Sequence, residues 1–68
     1  MRDMNGEYIN EGDEVIIMKT HYLKHTLGAS GIVEEVEHED DSIFVRLNDP
    51  TLHSGYWYSL NVVRKVIT

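Results

Sequence analysis

The chain has 68 residues, 41% of them hydrophobic, which is enough for one small core and too apolar for a disordered chain. It contains no cysteine, so neither disulfides nor thiolate metal sites can add to the stability of that core. Twelve acidic residues against six lysines and arginines give a formal net charge of −6, which disfavours nucleic acid as a partner because nonspecific affinity depends on neutralising phosphates.

The first nine residues predict an N-terminal extension or a short strand, because the turn-forming pair Asn5-Gly6 stands before a brief apolar segment. A second turn, at residues 10–13, contains a glycine that can adopt positive φ and leads into the first main strand. We therefore assign residues 1–9 to the extension and residues 10–68 to a single folded domain.

The first main strand is predicted over residues 14–19, where Val15 and Ile17 share one face. Residues 20–30 follow with neither the helical nor the strand period, and this segment is long for a connection in so small a domain. Because long loops in compact domains often carry function, we expect this loop to take part in binding.

Two further strands flank an acidic turn at residues 39–42. The second strand is predicted over residues 31–38, but its apolar residues do not alternate regularly. This irregularity indicates a bend or a bulge, as small barrels need where a strand passes from one side to the other. The third strand, residues 43–47, alternates cleanly, so that Ile43 and every second residue after it point to the core.

The last two strands enclose a short turn. Residues 48–55 contain the only proline and interrupt the pattern, and the aromatic run at residues 56–58 resumes it. Residues 59–61 fit a tight or 3₁₀ turn, after which residues 62–67 close the sheet. The predicted core of the domain consists of Val15, Ile17, Ile32, Val45, Leu47 and Val63.

Two glycine-containing segments carry a resemblance to a known family. Residues 12–15 are Gly-Asp-Glu-Val, and residues 28–33 are Gly-Ala-Ser-Gly-Ile-Val. Over residues 10–67 this arrangement resembles the SH3-like barrels, and among them the KOW-type modules, which open with Gly-Asp-x-Val and enter their second strand through Gly-x-x-Gly-x-Val. The resemblance implies a small antiparallel SH3-like barrel of about five strands, with a long loop after the first main strand.

The same resemblance implies a class of ligands. KOW-type modules often bind RNA, ribosomal protein partners or polymerase through basic or aromatic residues on the loops near those glycines. Applied to this sequence, the resemblance implies an RNA- or DNA-binding module with contacts at Lys19, Tyr22, Lys24 and Arg46. The acidic net charge disfavours this alternative.

Patterns typical of catalysis and metal binding are missing from the sequence. His21 and His25 have a spacing that fits two metal ligands on a helical turn, but no HExxH or cysteine motif accompanies them. Neither a Gly-x-Ser-x-Gly elbow nor a phosphate-binding Gly-x-x-x-x-Gly-Lys segment occurs, and so small a domain has little volume for a pocket. We expect no enzymatic activity, no metal and no cofactor.

Half of the acidic residues are concentrated in one short stretch of the chain. One interpretation is a solvated hairpin end that aids solubility, and another is a mimic of nucleic-acid phosphates that occupies a basic groove on a host protein. We call this stretch the acidic ridge, and it consists of Glu34, Glu35, Glu37, Glu39, Asp40 and Asp41.

The aromatic run Tyr56-Trp57-Tyr58 and the long loop predict a binding surface. Strand alternation places Trp57 on the side opposite the two tyrosines, so one side lies outside the core. If Trp57 packs inward, the tyrosines are exposed and can act as interface hot spots. Alternatively, a small barrel simply spreads its aromatic residues over both sheet surfaces. The residues predicted to bind a partner are Tyr22, Lys24, His25, Tyr56 and Tyr58.

These patterns favour a noncatalytic protein-interaction module. Its small size fits a phage or viral accessory protein that binds a host protein. The alternatives are the KOW-like nucleic-acid-binding module and the acidic nucleic-acid mimic. The longest apolar runs are far shorter than the roughly 20 residues of a membrane span, and the N-terminus lacks the apolar region of a signal peptide. We therefore expect a complete cytoplasmic protein without a membrane segment.

Overall fold

Five short strands of β-branched and aromatic residues form one antiparallel sheet in a computed structural model of the protein, which describes residues 2–20, 24–49 and 55–66. The strand order in the sheet is β4-β3-β2-β1-β5. A 3₁₀ turn at Lys24–Thr26 lies between β1 and β2, and another at Leu60–Val62 lies between β4 and β5. The strands are β1 (Glu14–Ile17), β2 (Ser30–Glu37), β3 (Ser42–Leu47), β4 (Gly55–Ser59) and β5 (Val63–Lys65).

The predicted irregularity in the second strand is a bulge. Val33 lies opposite Val45, the register then shifts before Glu35, and Val36 lies opposite Ile43. The extra residue lets Val33 and Val36, three positions apart, both turn toward the core, which regular alternation does not allow. The prediction of a bulge or bend in this strand is confirmed.

The prediction that Ile32 lies in the core is wrong, since its side chain is 36% exposed. The inward position before Val33 belongs to Gly31, which lies opposite Leu47. A Cβ atom at Gly31 would lie 2.5 Å from the carbonyl oxygen of Arg46, so only a glycine fits there. Because glycine has no side chain, the sequence pattern concealed which face this position occupies.

The remaining predicted core residues are confirmed. Val15, Ile17, Val45 and Val63 are fully buried and Leu47 is nearly so. The core also contains residues outside the predicted set, and these are Ile9, Val33, Ile43, Tyr58 and Leu60.

Residues 2–9 are attached to the sheet through Asp3, a buried residue that is 6% exposed. Its Oδ1 accepts hydrogen bonds from the backbone N–H groups of Asn5 and Glu7, and its Oδ2 accepts one from the N–H of Lys65 in β5. Burial alone would raise the pKa of Asp3, but these three hydrogen bonds and the charge of Lys65 outweigh it and lower the pKa. The domain boundary after Ile9 stays a prediction, although the Ile9 side chain itself packs in the core.

Within the described residues, no helix is long and apolar enough to cross a bilayer.

Candidate partner-binding surface

The three consecutive aromatic residues of β4 divide between the two faces of the sheet. Tyr58 lies opposite the buried Ile43, and its side chain is only 4% exposed. Trp57 lies opposite Phe44 and is 50% exposed. The tyrosines therefore point inward and the tryptophan outward, so the expectation of an exposed Tyr58 is wrong. Tyr58 belongs to the same buried core cluster as Ile43.

Tyr58 connects the long loop to the sheet. Its hydroxyl donates a hydrogen bond to Oγ1 of Thr26, at 2.9 Å, and Thr26 is fully buried. Burial raises the pKa of Tyr58 because the tyrosinate cannot be solvated there; the hydrogen bond to Thr26 partly offsets this, and the neighbouring Tyr56 adds to it. At neutral pH Tyr58 is thus an uncharged structural anchor for the 3₁₀ turn at Lys24–Thr26.

Beside this anchor, His25 and Tyr56 form an edge-to-face pair. Their ring centroids are 5.8 Å apart, and the Tyr56 hydroxyl lies 3.5 Å from Nε2 of His25, at the outer limit of a hydrogen bond. His25 and the adjacent Lys24 are exposed, and Tyr56 is half-buried. The ring of the buried Tyr58 also contacts that of Tyr56. The structure therefore brings together four of the five predicted binding residues, while Tyr22 lies outside the described residues.

On the outer face, Trp57 packs against Phe44. The two ring centroids are 5.4 Å apart with an interplanar angle of 64°. The Phe44 ring in turn lies directly against Gly55, where a Cβ atom would be 2.5 Å from Cε1 of the ring. Phe44 therefore contacts both Gly55 and the exposed Trp57. We call Phe44 and Trp57 the outer aromatic pair.

Sequence reasoning did not assign the outer aromatic pair to binding. A signal was available in the clean alternation of residues 43–47, which sends Phe44 to the face opposite Ile43. What the sequence alone does not provide is the register that sets Phe44 beside Trp57 and its ring against Gly55.

Carboxylates share the outer face with this pair. Glu35 lies directly opposite Phe44 on β2, and Glu37 lies opposite Ser42. Since residues directly opposite each other on paired strands project to the same side, Trp57, Phe44 and Glu35 form a row across three strands. The acidic ridge therefore extends onto the same face as the exposed tryptophan.

Cations are scarce next to the outer aromatic pair. Arg46 projects to this face from β3, and its Nε lies 2.9 Å from Oε1 of Glu34, the bulge residue. Within the described part of the chain, ion pairing in the acidic ridge is confined to Glu34. The rest of the ridge continues around the exposed hairpin turn, through Glu39, Asp40 and Asp41.

Among the described residues, no three histidine, aspartate or glutamate side chains converge on a position where they could hold a metal ion. His21 lies outside those residues. The absence of enzymatic activity stays a prediction from the sequence.

Comparisons with known proteins identify the fold. No protein-family model matches the chain, and no curated protein matches it. Among solved structures, a chain of the MjSpt4:Spt5 complex in conformation B is similar, with a TM-score of 0.77 at 19% sequence identity. The match covers 91% of this chain and 40% of the other, so the protein spans less than half the length of that chain.

This similarity covers most of the chain and defines the class of fold. The protein is a small SH3-like β-barrel, and its resemblance to KOW-type modules holds at the level of the fold. The predicted all-β class and the predicted number of about five strands are both confirmed.

Proposed function

We propose that the protein is a noncatalytic protein-interaction module that contacts its partner through the outer aromatic pair. The observation that carries this proposal is Trp57, which is 50% exposed although it is the largest apolar side chain of the sheet. Trp57 packs against Phe44, whose own ring lies against Gly55, and this packing reduces the side-chain freedom that is lost when a partner covers Trp57.

The physical chemistry of tryptophan supports a binding role. Aromatic side chains contribute large contact areas, and tryptophan is among the residues most enriched in interface hot spots. Covering the exposed half of such a ring removes apolar area from water without any change in the barrel. The outer aromatic pair can therefore add binding free energy while the core stays as it is.

The similar chain in the MjSpt4:Spt5 complex belongs to an assembly of two proteins. We extend to this chain the expectation of a protein partner. The predicted contacts at Lys24, His25 and Tyr56 stay predictions for a second contact area on the loop side of β4, and a phage or viral origin and a cytoplasmic location stay predictions from the sequence.

Charge disfavours the nucleic-acid alternative. Two of the cations in the described residues already face carboxylates, since Arg46 pairs with Glu34 and Lys65 lies 3.5 Å from Asp13. The exposed Arg2, Lys19, Lys24 and Arg64 remain as contacts for a phosphate backbone, against a net charge of −6. The acidic-mimic alternative needs a basic partner and makes no use of Trp57.

Affinity capture from cell lysate with three forms of the protein tests this proposal. We expect the wild type to retain a partner identified by mass spectrometry and Trp57→Ala to lose it while keeping its thermal unfolding transition. Tyr8→Ala is the matched control, because Tyr8 is 57% exposed but lies on the N-terminal segment. Undiminished capture of the same partner by Trp57→Ala would contradict the proposal.

A further inference from the structure

We propose that the outer aromatic pair receives a cationic side chain, and that the binding partner presents it on an arginine-containing segment. This inference rests on the proposed function and specifies the chemistry of the partner. It starts from the row Trp57, Phe44 and Glu35, in which an exposed indole and a carboxylate lie on the same face, two strand spacings apart. Two spacings amount to about 10 Å.

The indole ring of Trp57 is the first feature that is complementary to a cationic side chain. The faces of aromatic rings attract cations, and tryptophan does so most strongly. Arginine suits this position better than lysine, because its planar guanidinium stacks on an aromatic ring and still offers N–H donors at its edge. Trp57 packs against Phe44 at an interplanar angle of 64° and is still 50% exposed, so part of its ring is open to a ligand.

The carboxylates around the outer aromatic pair are the second feature that is complementary to a cationic side chain. Glu34, Glu35 and Glu37 project around the outer aromatic pair against one guanidinium, that of Arg46, which Glu34 already engages. The other outward-facing cation of the sheet, Arg64, lies on β5 at the opposite edge from β4. Glu35 is left to accept hydrogen bonds from a partner, and an incoming arginine satisfies the ring and the carboxylate together.

Other occupants fit this face poorly. A nucleic-acid backbone would bring phosphates against the carboxylates. A second copy of this chain would bring together two molecules that each carry a net charge of −6. An uncharged apolar segment would cover Trp57 but would leave Glu35 beside an apolar surface without a compensating cation.

Fluorescence titration tests the inference directly, because Trp57 is the only tryptophan in the chain. The probe is a short capped peptide in which arginines alternate with glycines, compared with the same peptide carrying lysines or glutamines. We expect a saturable change in Trp57 emission with the arginine peptide, weaker binding of the lysine peptide and none of the glutamine peptide. The affinity falls as salt is added, since the contact is between charges.

Two variants that each remove one negative charge distinguish a local contact at the site from the effect of the protein's overall electrostatic field. Glu35→Gln weakens binding of the arginine peptide by about threefold, the scale of an exposed ion pair. Glu7→Gln makes the same change in net charge on the N-terminal segment, where Glu7 is exposed, and leaves the affinity unchanged. Trp57→Ala weakens binding of the arginine peptide by about tenfold, and calorimetry measures this affinity because the variant has no tryptophan fluorescence.

Three results would overturn the inference. They are equal binding of the glutamine and arginine peptides, equal effects of Glu35→Gln and Glu7→Gln, and tighter binding of a single-stranded oligonucleotide than of the arginine peptide. Each is distinguishable from failure of the proposed function, which would show itself as partner capture that does not depend on Trp57. If capture depends on Trp57 but the arginine peptide does not compete with the captured partner, the proposed function stands and the cationic contact is wrong.

Discussion

Tyr58 and Trp57 are neighbours in sequence and have opposite environments. Tyr58 is buried against the core and hydrogen-bonded to Thr26, whereas Trp57 stands half-exposed on the other face with Phe44 beside it. The difference follows from the period of two in a strand, which sends adjacent side chains to opposite sides. One short strand thereby divides its aromatic residues between stability and binding, and substitutions in it should separate the two properties.

The largest expected effect is that of Tyr58→Ala. Replacing a buried aromatic ring by alanine costs about 3–5 kcal/mol of the free energy of unfolding, which is most of what so small a domain has. We expect the thermal midpoint to fall by roughly 15 °C or more, or the transition to vanish. Trp57→Ala is the comparison and shifts the midpoint by only a few degrees. Circular dichroism melts of both variants measure the contrast, and equal losses would contradict the division between the two faces.

Gly55→Ala tests the contact between Gly55 and the ring of Phe44 on the outer face. The added Cβ would lie 2.5 Å from Cε1 of Phe44 and 2.9 Å from the carbonyl oxygen of Val45. The ring can turn away but the backbone oxygen cannot, so we expect a loss of about 1–3 kcal/mol together with a change in the near-ultraviolet dichroism of Trp57.

A double variant identifies the part of that loss that comes from the ring. In the Phe44→Ala background, Gly55→Ala should cost less than in the wild type, because the contact with the ring is gone. Fully additive effects would show that Phe44 does not rest on Gly55.

The sequence predicted the sheet better than it predicted the site. Short β-branched runs separated by glycine and asparagine predict the strands because those residues fit strands and turns locally. The faces of Ile32 and Tyr58 depended on register instead. The inward position of Gly31 and the bulge before Glu35 are set by contacts with β3, which no local pattern contains.

The outer aromatic pair illustrates the same limit. Phe44 and Trp57 are thirteen positions apart in the chain and meet only because β3 pairs with β4 in one particular register. Sequence reasoning identified the aromatic run and the long loop as important, and the structure joins them through His25 with Tyr56 and through Thr26 with Tyr58. The sequence alone could not decide which ring of the aromatic run faces solvent, because both choices satisfy strand alternation.

Asp3 provides a way to destabilise the protein without touching either face of β4. Asp3→Asn removes the charge that three backbone N–H groups and Lys65 stabilise, so we expect a lower thermal midpoint at neutral pH but unchanged partner capture below that midpoint. Loss of capture by this variant at a temperature where it is folded would show that binding extends to the N-terminal segment.

The pH dependence of the Asp3 effect has a definite sign. The folded-state pKa of Asp3 is lowered from its ordinary value of 3.8, so the stabilisation is fully present above that value and is lost as the pH falls through the lower folded-state pKa. The difference in midpoint between the wild type and Asp3→Asn should therefore shrink in acid. A difference that grows as the pH falls would contradict the hydrogen-bonding role.

The smallest expected effect is that of Tyr58→Phe, which keeps the ring and removes only the hydroxyl. Losing the hydrogen bond to Thr26 costs about 1 kcal/mol at neutral pH. Because burial raises the pKa of Tyr58 above its ordinary value of 10.0, the stabilisation from its neutral form is complete below that value and is lost as the pH rises through the raised folded-state pKa. Phenylalanine cannot ionise, so the disadvantage of the variant should diminish in strong alkali.

Tyr8→Phe, on the exposed N-terminal segment, is the control, and denaturant unfolding across the alkaline range measures both variants. If the cost of Tyr58→Phe is the same at every pH, the hydroxyl is hydrated, and the inward face of β4 is less closed to water than its contacts with Thr26 indicate.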